Sequence, residues 1–304
     1  MKRPGWPRWW RSASFWLLAA LVAATGWLGW LNGLGRVDLV LGDFALEALE
    51  SPGSDRIVIV AIDDASLAAL GRWPWRREIH ARLIERIGQA GPAAVGLDVL
   101  FSEPDAQHPE DDRRLAAALR SSGKVVLPVV MGSVDSRGVM GVQTPHPQLA
   151  TAAAAVGHAH FEVDPDGLVR SVFLREGVGD RLWPQLSLAM LALSPRGQAA
   201  AEAAAVGARR PPGPWSQVGA WRRDQWVQIP FGGAPGRFRT VSYVDALDGV
   251  IPPEVFRDRF VLIGATATGM GDAWPTPVSV GRTAMPGVEL LAQVLDAALQ
   301  GRQL

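Results

Sequence analysis

Apolar runs of strand length recur through this 304-residue chain and alternate with patterns typical of helices. The clearest run is RIVIVAI at residues 56–62, which is rich in β-branched residues and is followed by Asp63 and Asp64. Strands that are buried on both faces of a parallel sheet have this unbroken apolar character. The run therefore favours an α/β fold with helices covering both faces of the sheet.

A strand, a helix and a second strand follow one another early in the chain. Residues 80–90 carry an apolar stripe at helical spacing, and a Gly-Pro pair ends the helix. Residues 93–100 (AAVGLDVL) have the composition of a second buried strand. With the run at residues 56–62, they predict a βαβ unit, the building block of a parallel sheet.

The same alternation continues to the end of the chain. Residues 163–168 (VDPDGL) predict a hairpin turn, and residues 138–161 predict a loop with a short helix. Together these patterns predict an α/β fold with a mostly parallel central sheet flanked by helices. The other predicted elements are helices over residues 39–49, 109–120, 186–193 and 287–300, and strands over residues 124–130, 226–229, 238–243 and 260–264.

One stretch near the start of the chain carries no charge. It covers residues 12–35, and its 24 residues exceed the roughly 20 that cross a hydrocarbon core. Four basic residues precede it, and by the positive-inside rule they stay in the cytoplasm. The pattern predicts a cytoplasmic tail over 1–11, a transmembrane helix over 12–35 and an extracytoplasmic domain over 36–304. A cleavable signal peptide and a buried core helix are the alternatives.

The charge distribution argues against nucleic acid as a partner. The chain has 30 basic and 30 acidic residues, and four of the basic ones precede the uncharged stretch at residues 12–35. The remainder has 26 basic against 30 acidic residues and so lacks the basic surface that phosphate backbones require. Cysteine is absent, which excludes disulfides, thiol catalysis and cysteine-ligated zinc.

Three blocks of sequence carry a family resemblance. The first is VAIDDAS at residues 60–66 with GRWPWRR at 71–77, the second is AAVGLDVLFSEP at 93–104, and the third is FVLIGATATGMGD at 260–272. In this order they resemble the second class of CHASE domains, the extracellular sensory modules of bacterial cyclases and histidine kinases. The resemblance extends over about residues 37–301.

The resemblance implies a sensor of a bacterial transmembrane receptor, held in the inner (plasma) membrane with its main domain in the periplasm or outside the cell. An output domain, such as an adenylate or diguanylate cyclase or a histidine or Ser/Thr kinase, would follow Leu304. The family has no established catalytic constellation. The chain itself is therefore expected to be no enzyme, with an unknown small molecule or protein as its stimulus.

Acidic side chains follow several predicted strands. Asp63, Asp64 and Asp98 come directly after two of them, and Asp272 follows the last strand through a glycine-rich loop. Open α/β sheets bind ligands at the carboxyl ends of their strands. These acids therefore predict either a cation site or a pocket for hydrogen-bond donors. The alternative is that they cap helices and bond to loop amides.

The segment GRWPWRR at residues 71–77 is the other candidate for ligand contact. Its Arg72, Trp73, Trp75 and Arg77 could stack on and clamp an anionic or aromatic ligand. Alternatively, the tryptophans pack over the sheet and Arg77 pairs with Asp63 or Asp98.

Motifs for other chemistry are incomplete in this sequence. The glycines of residues 264–271 lack the Lys-Ser/Thr of a P-loop, and His158 and His160 alternate as strand residues do. We therefore expect no catalytic residue, no metal and no cofactor.

Two hypotheses stand beside the sensor. One is a membrane-anchored, metal-dependent hydrolase in which the four aspartates bind a divalent ion. The other is a scaffolding module that pairs with itself, as a homodimer, or with another receptor.

Overall fold

The protein is described here from a computed structural model, which describes residues 13–30, 52–134, 140–194, 198, 217–218, 221–279, 281 and 283–302. The chain divides into two units, Met1–Ala48 and Leu49–Leu304. The described part of the first unit is one helix, α1 (Ala13–Trp30). The predicted helix over residues 39–49 lies outside the described residues.

Helix α1 falls within the stretch predicted to cross a membrane. Nowhere in the described residues does a helix combine the length and apolar character that a crossing needs. The prediction of a helix is confirmed here, and the prediction of a membrane span over 12–35 is not.

The second unit contains an alternating series of strands and helices. In its first half these are β1 (Ile57–Ile62), α2 (Asp64–Leu70), α3 (Arg77–Gln89), β2 (Ala94–Leu97), α4 (Pro109–Ser122), β3 (Val125–Val134), β4 (Met140–Gln143), α5 (Pro147–Ala152) and β5 (Ala155–His158). In its second half they are β6 (Glu162–Val163), β7 (Val169–Val178), β8 (Arg181–Pro184), α6 (Leu186–Ala192), β9 (Gln217–Val218), β10 (Trp221–Gln228), β11 (Arg239–Ser242), α7 (Tyr243–Asp248), β12 (Phe260–Ala265), β13 (Ala273–Trp274), β14 (Met285–Pro286) and α8 (Gly287–Leu299).

The central sheet is mostly parallel, as the sequence predicts. Its strands run in the order β11-β1-β12-β2-β3, all parallel, and β3 then pairs with both β5 and β4. The pairing with β5 is parallel, and the pairing with β4 at the far end of β3 is antiparallel. Because neighbouring parallel strands end at the same edge, the loops after β1, β12 and β2 come together there.

Helices cover both faces of this sheet. Val58, Val60 and Ile62 pack with α3 and α4 in one apolar core, and α6 and α8 contact the strands from the second side. Every residue of β1 is buried in consequence. Burial on both faces explains the unbroken apolar run that the sequence shows.

A second, antiparallel sheet was not predicted. Its order is β6-β7-β10-β9, with β8 also paired to β7. The prediction of a loop with a short helix over residues 138–161 is also partly wrong. The helix is α5, but strands β4 and β5 lie on either side of it. Their pairing with β3 supplies the hydrogen bonds that a buried backbone needs.

Substitution of Gly96 in β2 tests how closely α6 packs on the sheet. A methyl group there would lie 2.5 Å from Sδ of Met190 and 2.9 Å from a methyl carbon of Leu262. Because such overpacking strains a core, we expect Gly96→Ala to lower the free energy of unfolding by about 1–3 kcal/mol in urea denaturation.

Gly88 in α3 is the matched control for this substitution. A methyl group at Gly88 would meet Ser122 at 3.8 Å, an ordinary contact. Alanine also favours a helix over glycine by about 0.5–1 kcal/mol, so Gly88→Ala should not destabilise the protein. Equal destabilisation by both substitutions would contradict the packing described for β2.

Candidate ligand-binding site

Two cavities lie at the carboxyl edge of the central sheet. One has a volume of about 620 Å³ and the other about 360 Å³. Both are lined by Asp98 and Leu100, which follow β2, and by Asp272, which follows β12. The strand order places β2 and β12 side by side, so the acids predicted from strand ends meet at this edge.

The larger cavity, called here the aromatic cavity, has walls of mixed character. Trp73, Trp75, Phe101 and Met270 supply its large apolar surfaces. The rings of Trp73 and Trp75 pack edge to face with their centroids 5.1 Å apart. The charged or titratable side chains in its walls are Arg76, Arg77, His80, Asp98, Asp105, His108 and Asp272.

The smaller cavity, called here the aliphatic cavity, lies toward the antiparallel sheet. Its walls are largely apolar and include Val130, Met131 and Phe161. His160 also lines it, with Nδ1 3.0 Å from a carboxylate oxygen of the buried Glu176. Burial opposes a charge on His160, but the hydrogen bond and charge of Glu176 outweigh it, and the pKa of His160 is raised.

Asp98 and Asp272 stand where the two cavities meet. The carboxylate of Asp98 accepts no hydrogen bond from the described residues, and burial together with the charge of Asp272 raises its pKa from 3.8 to about 7. Asp272 accepts a 3.0 Å hydrogen bond from Nε1 of Trp274, yet burial still raises the pKa of its carboxyl group. Gly287 lies directly against this carboxylate, and a side chain at that position would overlap it.

The arginines of the 71–77 segment pair with carboxylates of helix α4. Arg76 donates two hydrogen bonds of 3.0 Å to Asp111, and Arg77 pairs with Asp112. The prediction that Arg77 pairs with Asp63 or Asp98 is therefore wrong. Arg77 begins α3, and α3 packs beside α4, so the first turn of α4 lies nearer to it than the strand ends do.

Three of the predicted contact residues do not line either cavity. Asp63 caps α2, where it accepts hydrogen bonds from the backbone nitrogen of Ser66 at 2.8 Å and from Ser242 Oγ at 3.0 Å. Asp64 accepts hydrogen bonds from the backbone and hydroxyl of Thr268 at 3.3 and 3.4 Å. Arg72 is exposed to solvent. For these aspartates, the capping and loop alternative is confirmed.

Trp75 belongs partly to the core beneath the cavity. Its indole nitrogen donates to the carbonyl oxygen of Gly71 at 2.9 Å, and its ring packs on Tyr243 with centroids 4.9 Å apart. Tyr243 Oη lies 2.9 Å from Nδ1 of the buried His80, whose pKa falls to about 3 because of burial and the charge of Arg77. The structural reading of the tryptophans is thus confirmed for Trp75, which also forms part of the cavity wall.

Several wall residues were not predicted. Phe101 lies three residues beyond Asp98 in the loop after β2, and Trp274 lies two residues beyond Asp272 in β13, so both closely follow acids that the sequence had marked. His160 was noted only as an alternating strand residue. Its role in the wall depends on the antiparallel sheet, which supplies Glu176.

The described residues contain one group that could hold a metal ion, formed by Asp105, His108 and Asp111. Its carboxylates already have partners: Asp105 accepts from the backbone nitrogen of His108 at 2.9 Å, and Asp111 accepts from Arg76. A metal there would compete with Arg76 for Asp111. The four aspartates of the metal-dependent hydrolase hypothesis do not form such a group among the described residues.

The family model of the CHASE2 domain matches residues 12–304. No curated protein and no solved structure matches the chain.

Substitution of Asp98 tests the charge at the meeting point of the two cavities. Since the folded pKa is raised from 3.8 to about 7, the folded protein keeps a proton that the unfolded chain has lost. The stability that this proton supports is present below the unfolded pKa and is lost as the pH rises through about 7. Relative to the wild type, Asp98→Asn should therefore gain stability with rising pH, on the order of 4 kcal/mol above the folded pKa.

Urea denaturation of both proteins at roughly pH 4, 6 and 8 measures this gain. The exposed Asp180 lies in the turn between β7 and β8, and Asp180→Asn serves as the control with the same change of charge. A stability difference for Asp98→Asn that stays flat with pH would show that its carboxyl group titrates normally.

Substitution of Arg77 tests its assignment to an ion pair. Arg77→Gln leaves Asp112, whose side chain is 4% exposed, without its charged partner. Breaking a buried pair from one side costs about 3 kcal/mol or more, so we expect a loss of that size in urea denaturation. Arg72→Gln, at an exposed position of the same segment, should change stability by at most about 0.5 kcal/mol. Equal stability of the two variants would show that Arg77 does not form a stabilising ion pair with Asp112.

Proposed function

This chain belongs to the CHASE2 domain family, whose members are extracellular sensory domains of signalling receptors, and from that premise we propose that its two cavities form the stimulus site of a receptor. The observation that carries the proposal is the Asp98 carboxylate, which accepts no hydrogen bond from the described residues and stands beside Asp272 where the two cavities meet. Partial removal of a carboxylate from water without a donor costs free energy, and a ligand that donates to it would recover part of that cost.

Helix α8 begins beside this site, and we propose that the signal of ligand binding leaves the site through it. Its first residue, Gly287, lines the aliphatic cavity and donates from its backbone nitrogen to the carbonyl oxygen of Asp272 at 3.0 Å. The next residue, Val288, packs against Gly264 of β12, where a methyl group would lie only 2.7 Å from its Cβ. A ligand that moves Asp272 would therefore act directly on the start of α8.

The other end of α8 carries a buried ionic cluster. Asp296 is fully buried and accepts from Nη2 of Arg302 at 2.9 Å and from Nη2 of Arg237 at 3.1 Å. It also accepts from the backbone nitrogen of Ser54 at 3.3 Å, and Arg237 donates to the carbonyl oxygen of Pro52 at 3.0 Å. This cluster, called here the terminal cluster, thus ties the beginning of the second unit to the residues after α8.

In our proposal the ligand shifts α8 between two positions, and the terminal cluster passes that shift to the chain on either side of the domain. The shift can be no larger than the difference in ligand affinity between the two states. We place the domain on the extracytoplasmic side of the bacterial inner membrane, anchored by residues 12–35, and the regulated output in a cytoplasmic cyclase or kinase.

A chimeric receptor tests this function. The chain would be joined through transmembrane helices to a cytoplasmic adenylate cyclase, and cyclic AMP would be measured in cells. Arg302→Gln removes one of the cations that contact Asp296 while Arg237 keeps its pairing, so the fold should survive. We expect a change in basal output of at least about threefold, equivalent to a bias of roughly 0.6 kcal/mol.

Asp180→Asn, in an exposed turn, should leave the basal output unchanged. Surface expression of each variant would be compared by labelling intact cells. Basal output that is the same for Arg302→Gln and the parent would contradict coupling through the terminal cluster. A chimera labelled only after the cells are made permeable would contradict the proposed orientation.

A further inference from the structure

The charged side chains around the two cavities differ in how many partners the protein gives them. Arg76 and Arg77, which line the aromatic cavity, pair with Asp111 and Asp112, and His160 in the aliphatic cavity pairs with Glu176. These lining cations are therefore engaged by the protein itself. An anionic ligand would have to compete with these carboxylates for them.

The acids at the meeting point have far fewer partners. Within the described part of the chain, Asp98 accepts no hydrogen bond, and the carboxylate of Asp272 accepts one, from Trp274. Two neighbouring carboxylates in a partly buried place repel each other, and both favour a ligand that brings positive charge. The unbalanced charge of the site is thus negative.

Each cavity presents apolar surface on its own side of the acids. Trp73, Trp75 and Phe101 lie in the aromatic cavity, and Met131 and Phe161 lie in the aliphatic one. Aromatic faces attract cations, and apolar walls favour a hydrocarbon body over the water shell of a metal ion. Ca²⁺ takes six to eight oxygen ligands, and the residues described here place no third carboxylate within reach of this pair.

We propose that the two cavities form one binding site for an organic amine, with its ammonium group held between Asp98 and Asp272. The hydrocarbon body of the amine extends along the aromatic cavity, and the aliphatic cavity accepts the shorter part. An ammonium group has three donors, enough to serve both carboxylates at once. This inference rests on the proposed function only in naming the stimulus class; binding itself can be measured on the isolated chain.

Matched pairs of probes test the inference on the full chain purified in detergent. Isothermal titration would compare 2-phenylethylamine with 2-phenylethanol, and hexylamine with 1-hexanol. Each pair shares its hydrocarbon body and differs in the ammonium group. We expect at least one amine to bind at least about tenfold more tightly than its alcohol, since charge-assisted hydrogen bonds exceed neutral ones.

Substitutions of Asp98 and Asp272 test whether these two side chains bind the ammonium group. Asp98→Asn and Asp272→Asn should each weaken the amine at least about tenfold, and Asp180→Asn, with the same change of charge at an exposed turn, should not change it. Thermal melting of each variant would confirm that it is folded, and Asp98→Asn is expected to be at least as stable as the wild type.

Four outcomes would overturn the inference: alcohols that bind as tightly as amines, phenylacetate that binds more tightly than phenylethylamine, amine binding that survives both substitutions, or MgCl₂ or CaCl₂ binding in place of every amine. Amine binding without any change in cyclase output would instead support the site and contradict the proposed function. Regulated cyclase output without amine binding would support the proposed function and contradict the amine site.

Discussion

Burial of the central sheet on both faces is the constraint on which the rest of this structure depends. Strands such as β1 contribute only apolar side chains to the two helical layers, so polar residues are confined to the strand ends. Since the strands that carry the site are parallel, those polar ends gather at one edge. Asp98 and Asp272 thus become neighbours although the chain places them far apart. The same burial that forms the core is what raises their pKa values.

The parallel sheet could be predicted from sequence because its pattern needs no long-range information. A run such as RIVIVAI has one reading once its length and β-branched content are considered. The antiparallel sheet could not be predicted in this way. Its long strands β7 and β10 contain Arg170, Glu176 and Arg223, and charged residues within a strand suggest an exposed segment. In the structure each has a partner that makes burial tolerable: Asp164 and Asp166, His160, and Glu162.

The site likewise has features that local sequence predicts and features that only the packing of distant elements decides. Its acids were predicted because their position after a strand is visible in the sequence. The partner of Arg77 was not, because Asp112 lies on the next helix and the packing of α3 on α4 decides the pairing. This pairing also changes the chemistry of the site. Because Arg77 is held by α4 and Arg72 lines neither cavity, the segment at residues 71–77 contributes aromatic walls, and the clamp predicted for an anionic ligand loses both of its cations.

The burial of α8 bears on how a signal could leave the site. Its residues Gly287 to Ala298 are all buried, so the helix cannot turn or slide by a small amount without repacking neighbours on every side. Closely packed interfaces of this kind favour discrete arrangements over gradual deformation. Contacts at Gly287 and at Asp296 mark the two ends of the helix. Gly287 donates to the carbonyl oxygen of Asp272 and lies against its carboxylate, and Asp296 pairs with Arg237 and Arg302. A ligand that changes the charge beside Gly287 therefore acts on a rigid helix whose other end is held by the ion pairs of Asp296. Such a helix must either keep its place or move as a unit.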